Sequence, residues 1–253
     1  MRPVVSRVLL ALLVVLAGCS AGNLPETSGP TVTPAAVPVS PPPGLSETGV
    51  VNASRLVAGH VALLTNTTAT RSTNRTVGYP NGTLVVENRT TWAGEEGRLV
   101  VVRTRHPGGP GGYARWQNGS HVVGWVESAD RRQYYTLEAS STPFAGVDPL
   151  GDHLSAALTT QRGASVTPVD CGDDRCLEVA FSLDERLVWG DGYPATGPVR
   201  YRLTVTTDGL VRHLVVTWAA RSGDRTVTVI ERTTFRNVGS TNATAPNWAV
   251  DRI

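Results

Sequence analysis

The chain has 253 residues, of which 40% are hydrophobic, enough for one core of ordinary domain size plus an attached segment. Its 23 basic residues, all arginine, nearly balance 21 acidic ones, for a formal net charge of +2. They form no basic block, so a nucleic-acid partner is not expected, and beyond the opening residues no hydrophobic stretch is long enough to span a membrane.

A short basic opening with Arg2 and Arg7 leads into an apolar run, Val8 to Ala17, that closes on Leu16-Ala17-Gly18-Cys19. A charged start, a short apolar middle and a small-residue cut site make a secretory signal peptide. The run is too short to span a bilayer, which takes about 20 residues. Leu-Ala-Gly-Cys resembles the lipobox of secreted lipoproteins. The resemblance implies that residues 1–18 are removed and that the Cys19 thiol is acylated. The chain would then be held at the outer face of the cytoplasmic membrane, at the cell surface. An uncleaved anchor or a soluble export product is the alternative. Without an Arg-Arg pair in the opening, the general secretory route is expected.

Residues 19–48 are rich in Pro, Ser and Thr, with Pro41-Pro42-Pro43 near the end. Such a segment has too little apolar content to fold and reads as a semi-rigid tether, about 3.1 Å per residue where extended. A β-rich domain is expected over 49–240, followed by a C-terminal tail, 241–253. It opens on a helix, Asn52–Leu64, in which Leu56, Val57, His60, Val61 and Leu64 recur at three and four residues. Asn52 or Ser54 can cap it.

Strands follow. Asn81-Gly82, Asn118-Gly119 and Asp208-Gly209 separate alternating runs, the strongest short-range hairpin signal, because a type I′ turn needs positive φ at both central residues. The runs are Thr83–Thr91, Tyr113–Gln117, His121–Glu127, Val199–Thr207 and Val211–Ala219, and Ser222-Gly223-Asp224 turns into Arg225–Phe235. Leu177, Val179, Phe181 and Leu183 alternate with Glu178, Ala180 and Ser182, one face buried and one wet. Gly108–Gly112 reads as a loop, with a mobile lip over a cavity as the alternative. A second helix is expected over Asp148–Gln161, with Leu150, Leu154, Ala157 and Leu158 on one side. The order is helix, about six strands, helix, about five strands.

That order, over roughly residues 50–236, resembles the LolA-like and LppX/LprG-like lipoprotein-carrier fold. The resemblance implies an α+β, mainly β fold: a curved antiparallel sheet, a half-barrel of about 10–11 strands, covered by two helices. It also implies an apolar cavity faced by Leu56, Val57, His60, Val61, Leu154 and Leu158, and a lipid or other apolar small molecule as ligand. A filled core, with a structural or protein-interaction role in the envelope, is the competing reading. The lipobox, tether and Thr/Asn-rich strands are also similar to surface lipoproteins of salt-loving archaea, although those are strongly acidic.

Cys171 and Cys176 remain after Cys19, and an even pair in an exported chain points to a disulfide. A metal or redox site is the alternative, but the pair lacks the four ligands of a structural zinc site. Asn52, Asn66, Asn74, Asn81, Asn88, Asn118 and Asn242 each begin a glycosylation sequon. His60, His106, His121, His153 and His213 have no ligand spacing, and no nucleophile-elbow serine or phosphate-cradling Gly-rich loop is present. Asp148, Asp152 and His153 read more simply as a solvated first helical turn than as an acid–base group. Catalytic residues, metals and cofactors are therefore not expected. The six tryptophans fill a core or line a ligand pocket.

Overall fold

The computed structural model describes residues 40–65, 67–95, 97–106, 109–119, 121–128, 131–138, 150–172, 175–184 and 193–252. Signal peptide, Cys19, the first part of the tether, Asn66, Asp148 and Trp189 lie outside the described residues. Two short strands, β1 (Leu45–Ser46) and β2 (Gly49–Val50), pair with each other ahead of helix α1 (Ala53–Leu64). Six strands follow: β3 (Ala69–Tyr79), β4 (Gly82–Ala93), β5 (Arg98–His106), β6 (Gly109–Asn118), β7 (His121–Ser128) and β8 (Arg131–Glu138). After helix α2 (Gly151–Thr160) come β9 (Ser165–Asp170), β10 (Arg175–Leu183), β11 (Val199–Thr206), β12 (Val211–Ser222) and β13 (Arg225–Arg236). A short helix, α3 (Asn247–Val250), ends the chain. Between α1 and β13 the order is the expected one.

The fold is mainly β. Its eleven long strands form one antiparallel sheet in the order β8-β7-β6-β5-β4-β3-β13-β12-β11-β10-β9, and β8 and β9 are its two open edges. Each half is a meander of sequential antiparallel strands; at the short β6–β7 and β11–β12 turns Gly119 and Gly209, at φ 52° and 98°, supply left-handed backbone. The first and last long strands, β3 and β13, join the halves at the centre. Edge β9 carries Pro168, and edge β8 opens with exposed Arg131 and Arg132. Both features discourage pairing with another chain.

Cross-strand partners share a face, which defines a front and a back. On the front, α1 and α2 lie over β9 to β13 and reach β3, and Leu56, Val57, Leu154 and Leu158 share one buried cluster with Val77, Val179, Leu203, Leu214 and Val229. On the back, Trp116 and Val123 are covered by Ala243 and Ala249, with Trp92, Leu99, Ala245 and Trp248 around them.

Four local expectations change. Ordered pairing starts at Leu45, whose side chain is buried in the front cluster, rather than after residue 48. Gly44 makes this possible: at φ 95° its carbonyl accepts from the Val51 and Asn52 N–H groups, and a Cβ there would meet the Asn52 carbonyl. Gly109–Gly112 is part of β6 rather than a loop. At Gly112 a Cβ would lie 2.5 Å from the Val102 carbonyl oxygen, so a glycine there permits close backbone approach rather than flexibility. Helix α2 starts at Gly151 because Leu150, at φ 59°, is left-handed and cannot be its first turn. Finally, the segment expected as a C-terminal tail packs, over 241–252, on the back of the sheet, where Ala243 and Ala249 share a buried cluster with Trp116.

Candidate functional site

The six residues expected to face a cavity are brought together by α1 and α2, on the front of the sheet. Asn52 caps α1 with its side-chain oxygen 2.9 Å from the Arg55 amide nitrogen, which fixes the face the helix presents. Leu56, Val57, His60, Leu154 and Leu158 are buried and Val61 half-buried. His60 is fully enclosed; its Nδ1 accepts the Val211 N–H at 3.2 Å, which leaves the proton on Nε2. Its ring meets Phe235 edge-on, centroids 5.1 Å apart. It is a satisfied core histidine.

The other expected sites are separate. Cys171 and Cys176 form a disulfide that leads into β10. Asp152 is exposed, while His153 is half-buried against the Tyr201 ring, 5.8 Å between centroids. His213 on β12 sits 3.2 Å from the Thr234 hydroxyl. Burial, then the charges of Arg236 and Arg212, holds its imidazole below the ordinary 6.5. His121 is exposed on β7, far along the strand order from β12. Among the described residues no group of His, Cys, Asp and Glu is arranged to hold a metal ion. Of the sequon asparagines, Asn81, Asn88, Asn118 and Asn242 are exposed; Asn74 is half-buried in mid-strand and Asn52 is engaged as the helix cap.

The feature that sequence reasoning missed is on the same front face, beyond β3. One cross-strand row runs Phe235, Arg71, Thr91, Val100, Arg115, Gly124, Tyr135. The next runs Thr233, Thr73, Arg89, Val102, Tyr113, Val126. Where the first half of this face is apolar, here it turns cationic. Arg71, Arg89, Arg98 and Arg115, from four adjacent strands, line a cavity of about 200 Å³ with Thr91, Val100 and Tyr113. Among the described residues no carboxylate lines it. Two acids on this face are committed: Glu231 pairs with Arg75 at 2.7 Å, and Glu87 with Arg89 at 3.3 Å. Arg115 donates from Nη2 to the neutral Gln117 side-chain oxygen at 2.8 Å. The Nε atoms of Arg89 and Arg115 are buried with no hydrogen-bond acceptor. At Gly124 the missing Cβ leaves room for the Tyr135 ring.

Two further constellations are less suited to binding. A groove of about 520 Å³ at the ends of β11 to β13 is lined by Asp208, Arg212 and Arg236 among others, but Asp208 is taken up by the Thr206 hydroxyl. Near the far end of β3, the Tyr79 hydroxyl lies 3.4 Å from both Tyr193 and Ser222 hydroxyls. The bond to Tyr79, then burial, pushes Tyr193 up to about 12, while Ser222 and then Tyr193 lower Tyr79.

No family model matches the chain, and no curated protein matches it. Among solved structures it is similar to the lipoprotein LppX of Mycobacterium tuberculosis, at 7% identity over 76% of this chain and 98% of that one, with a TM-score of 0.42. A LolA superfamily protein of Nitrosomonas europaea is 9% identical over 76% of this chain and 94% of that one, TM-score 0.25. A DUF1329 family protein of Desulfovibrio piger is 9% identical over 77% and 94%, TM-score 0.30.

Proposed function

We propose that this chain is an exported lipoprotein, acylated at Cys19 and held at the outer face of the membrane, whose domain binds a lipid or another apolar ligand without altering it. In this reading the signal peptide is 1–18, the lipidated tether follows, and the sheet is a curved half-barrel that receives the ligand on its front. The observation that carries the reading is the change along that front face. The face is screened by α1 and α2 as far as β3, then opens to the arginine-lined cavity. Beside that cavity, Val126 and Leu137 of the same face stand 48% and 56% exposed. A ligand with an apolar part has somewhere to lie there without displacing the packed core.

A second reading, a structural or interaction lipoprotein, is favoured by how tightly Leu56, Leu154 and Leu158 are enclosed, at 1–2% exposure. One experiment separates the two. The full chain is purified from its own membranes beside Cys19→Ser, and bound molecules are identified by native mass spectrometry. Ligand binding requires a stoichiometric lipid on the wild-type chain in addition to the covalent acyl groups. Fractionation of Cys19→Ser tests the anchor: the variant is expected in the soluble fraction, folded. A chain with no bound molecule leaves the structural reading, and a variant still held in the pellet removes the anchor.

A further inference from the structure

We propose that the arginine-lined cavity of the front face binds an oxyanion of the phosphate or sulfate class. The proposal shares a face with the reading above but does not need the ligand to have an apolar part. Four guanidinium groups converge from β3, β4, β5 and β6 on one small space. A guanidinium stays charged at any ordinary pH, so such a cluster cannot relieve its own repulsion by losing a proton. Among the described residues its lining offers no carboxylate, and Glu87 and Glu231 on this face already hold Arg89 and Arg75. Arg89 and Arg115 still carry donors without acceptors. The buried Nε of Arg89 and that of Arg115 have no acceptor, and Arg115 spends one Nη on a neutral amide.

An anion with several oxygens answers all of these at once. It accepts charge-assisted hydrogen bonds from planar donors set around it, and the Thr91 and Tyr113 hydroxyls in the same lining add neutral donors. Size narrows the class. Sites for drug-sized ligands are about 300–1,000 Å³, so about 200 Å³ suits one compact charged group rather than a whole lipid. The group could be a free anion or the head of an amphiphile whose tail runs past Val126, which pairs with Tyr113 across β6 and β7.

The test is calorimetric titration of the full chain in neutral detergent at constant ionic strength. The probes are inorganic phosphate, inorganic sulfate, a short-chain phosphatidic acid and, as a zwitterionic control, the matching phosphatidylcholine. Phosphate and sulfate should bind and raise the melting temperature of the wild-type chain. Arg89→Gln and Arg115→Gln should each bind about tenfold or more weakly, since each removes charge-assisted bonds. Arg115→Lys should fall between, and Arg225→Gln, on an exposed strand end, should match the wild type. Tighter binding of phosphatidic acid than of phosphate identifies a lipid headgroup; equal binding identifies a free anion. Absence of phosphate and sulfate binding by the wild-type chain overturns the proposal without recourse to any variant. So does equal binding of phosphatidylcholine and phosphatidic acid, or unchanged affinity in both glutamine variants. Phosphate binding by a chain that carries no native lipid would remove the apolar-ligand reading alone.

Discussion

Glu231 sits on β13 with its side chain 2% exposed, and Arg75 on the neighbouring strand holds it through Nε at 2.8 Å and Nη2 at 2.7 Å. This is a two-bond clasp at the boundary between the apolar and cationic halves of the front face. Breaking a buried ion pair by removing one partner typically costs about 3–5 kcal/mol, whereas an exposed pair contributes about 0–1. Glu231→Gln should therefore lower the urea midpoint sharply, while Glu127→Gln, which loosens the exposed bridge to Arg132, should barely move it. Equal effects would show that the clasp is dispensable. His213 gives a pH signature. Its imidazole is held below 6.5 in the folded chain, so the unfolded chain binds the proton more readily. Its contribution is fully present above 6.5 and is lost as pH falls through 6.5 and on through the lower folded value. His213→Gln should flatten stability against pH in that window, and denaturant melts at a series of pH values would show an unchanged slope if the histidine plays no part.

At the scale of elements, α1 is the piece whose packing is most exacting. Leu56 is 1% exposed within the front cluster. Overfilling a packed core costs about 1–3 kcal/mol, so Leu56→Trp should lower the melting temperature while leaving the far-UV spectrum intact. A variant as stable as the wild type would place free space beneath α1, where the apolar cavity is expected. The elements themselves were legible because each carries its own local signal. The spacing of Leu56, His60 and Leu64 marks α1, and Asn118-Gly119 and Asp208-Gly209 mark the turns that set up the meanders. Gly109–Gly112 misled for the opposite reason: a glycine that permits close approach of β5 has the same composition as one in a mobile loop. The arginine cavity was illegible for a different reason. Arg71, Arg89, Arg98 and Arg115 are indistinguishable in sequence from solvated strand arginines. Only the pairing register of β3 to β6 brings them together. The one hint lay in β3, where Val77 shares its side of the strand with Thr73, Arg71 and Arg75, so the buried face changes character midway along a single strand.

At the largest scale the described residues form one sheet whose two sides are covered by different agents. Front cover comes from α1 and α2, which are long and amphipathic. Back cover comes from 241–252, which is short and held by specific contacts. The Thr241 hydroxyl lies 3.0 Å from that of Thr70 and donates to the Asn237 carbonyl, and the Thr241 amide donates to Thr68. Beyond it, Ala243 presses so closely on Gly94 that a Cβ there would sit 2.5 Å from the Ala243 nitrogen. These contacts seat Ala249 and Trp248 on Trp116, which is 1% exposed, and Val123, which is wholly buried. Ending the chain at Ser240 would strip that cover. Burying one large apolar side chain stabilises a fold by about 1.5–3 kcal/mol, so exposing Trp116 together with Val123 should cost about 3 kcal/mol or more. The loss should fall on β4 to β7, where hydrogen exchange of the amides should accelerate, while β10 to β12 under α1 and α2 keep their protection. Tryptophan emission should shift to the red and a dye for exposed apolar surface should bind. A shortened chain with wild-type stability and unchanged exchange would mean that the back of the sheet stands without its cover. In that case the segment's closeness to Trp116 would serve something other than the fold.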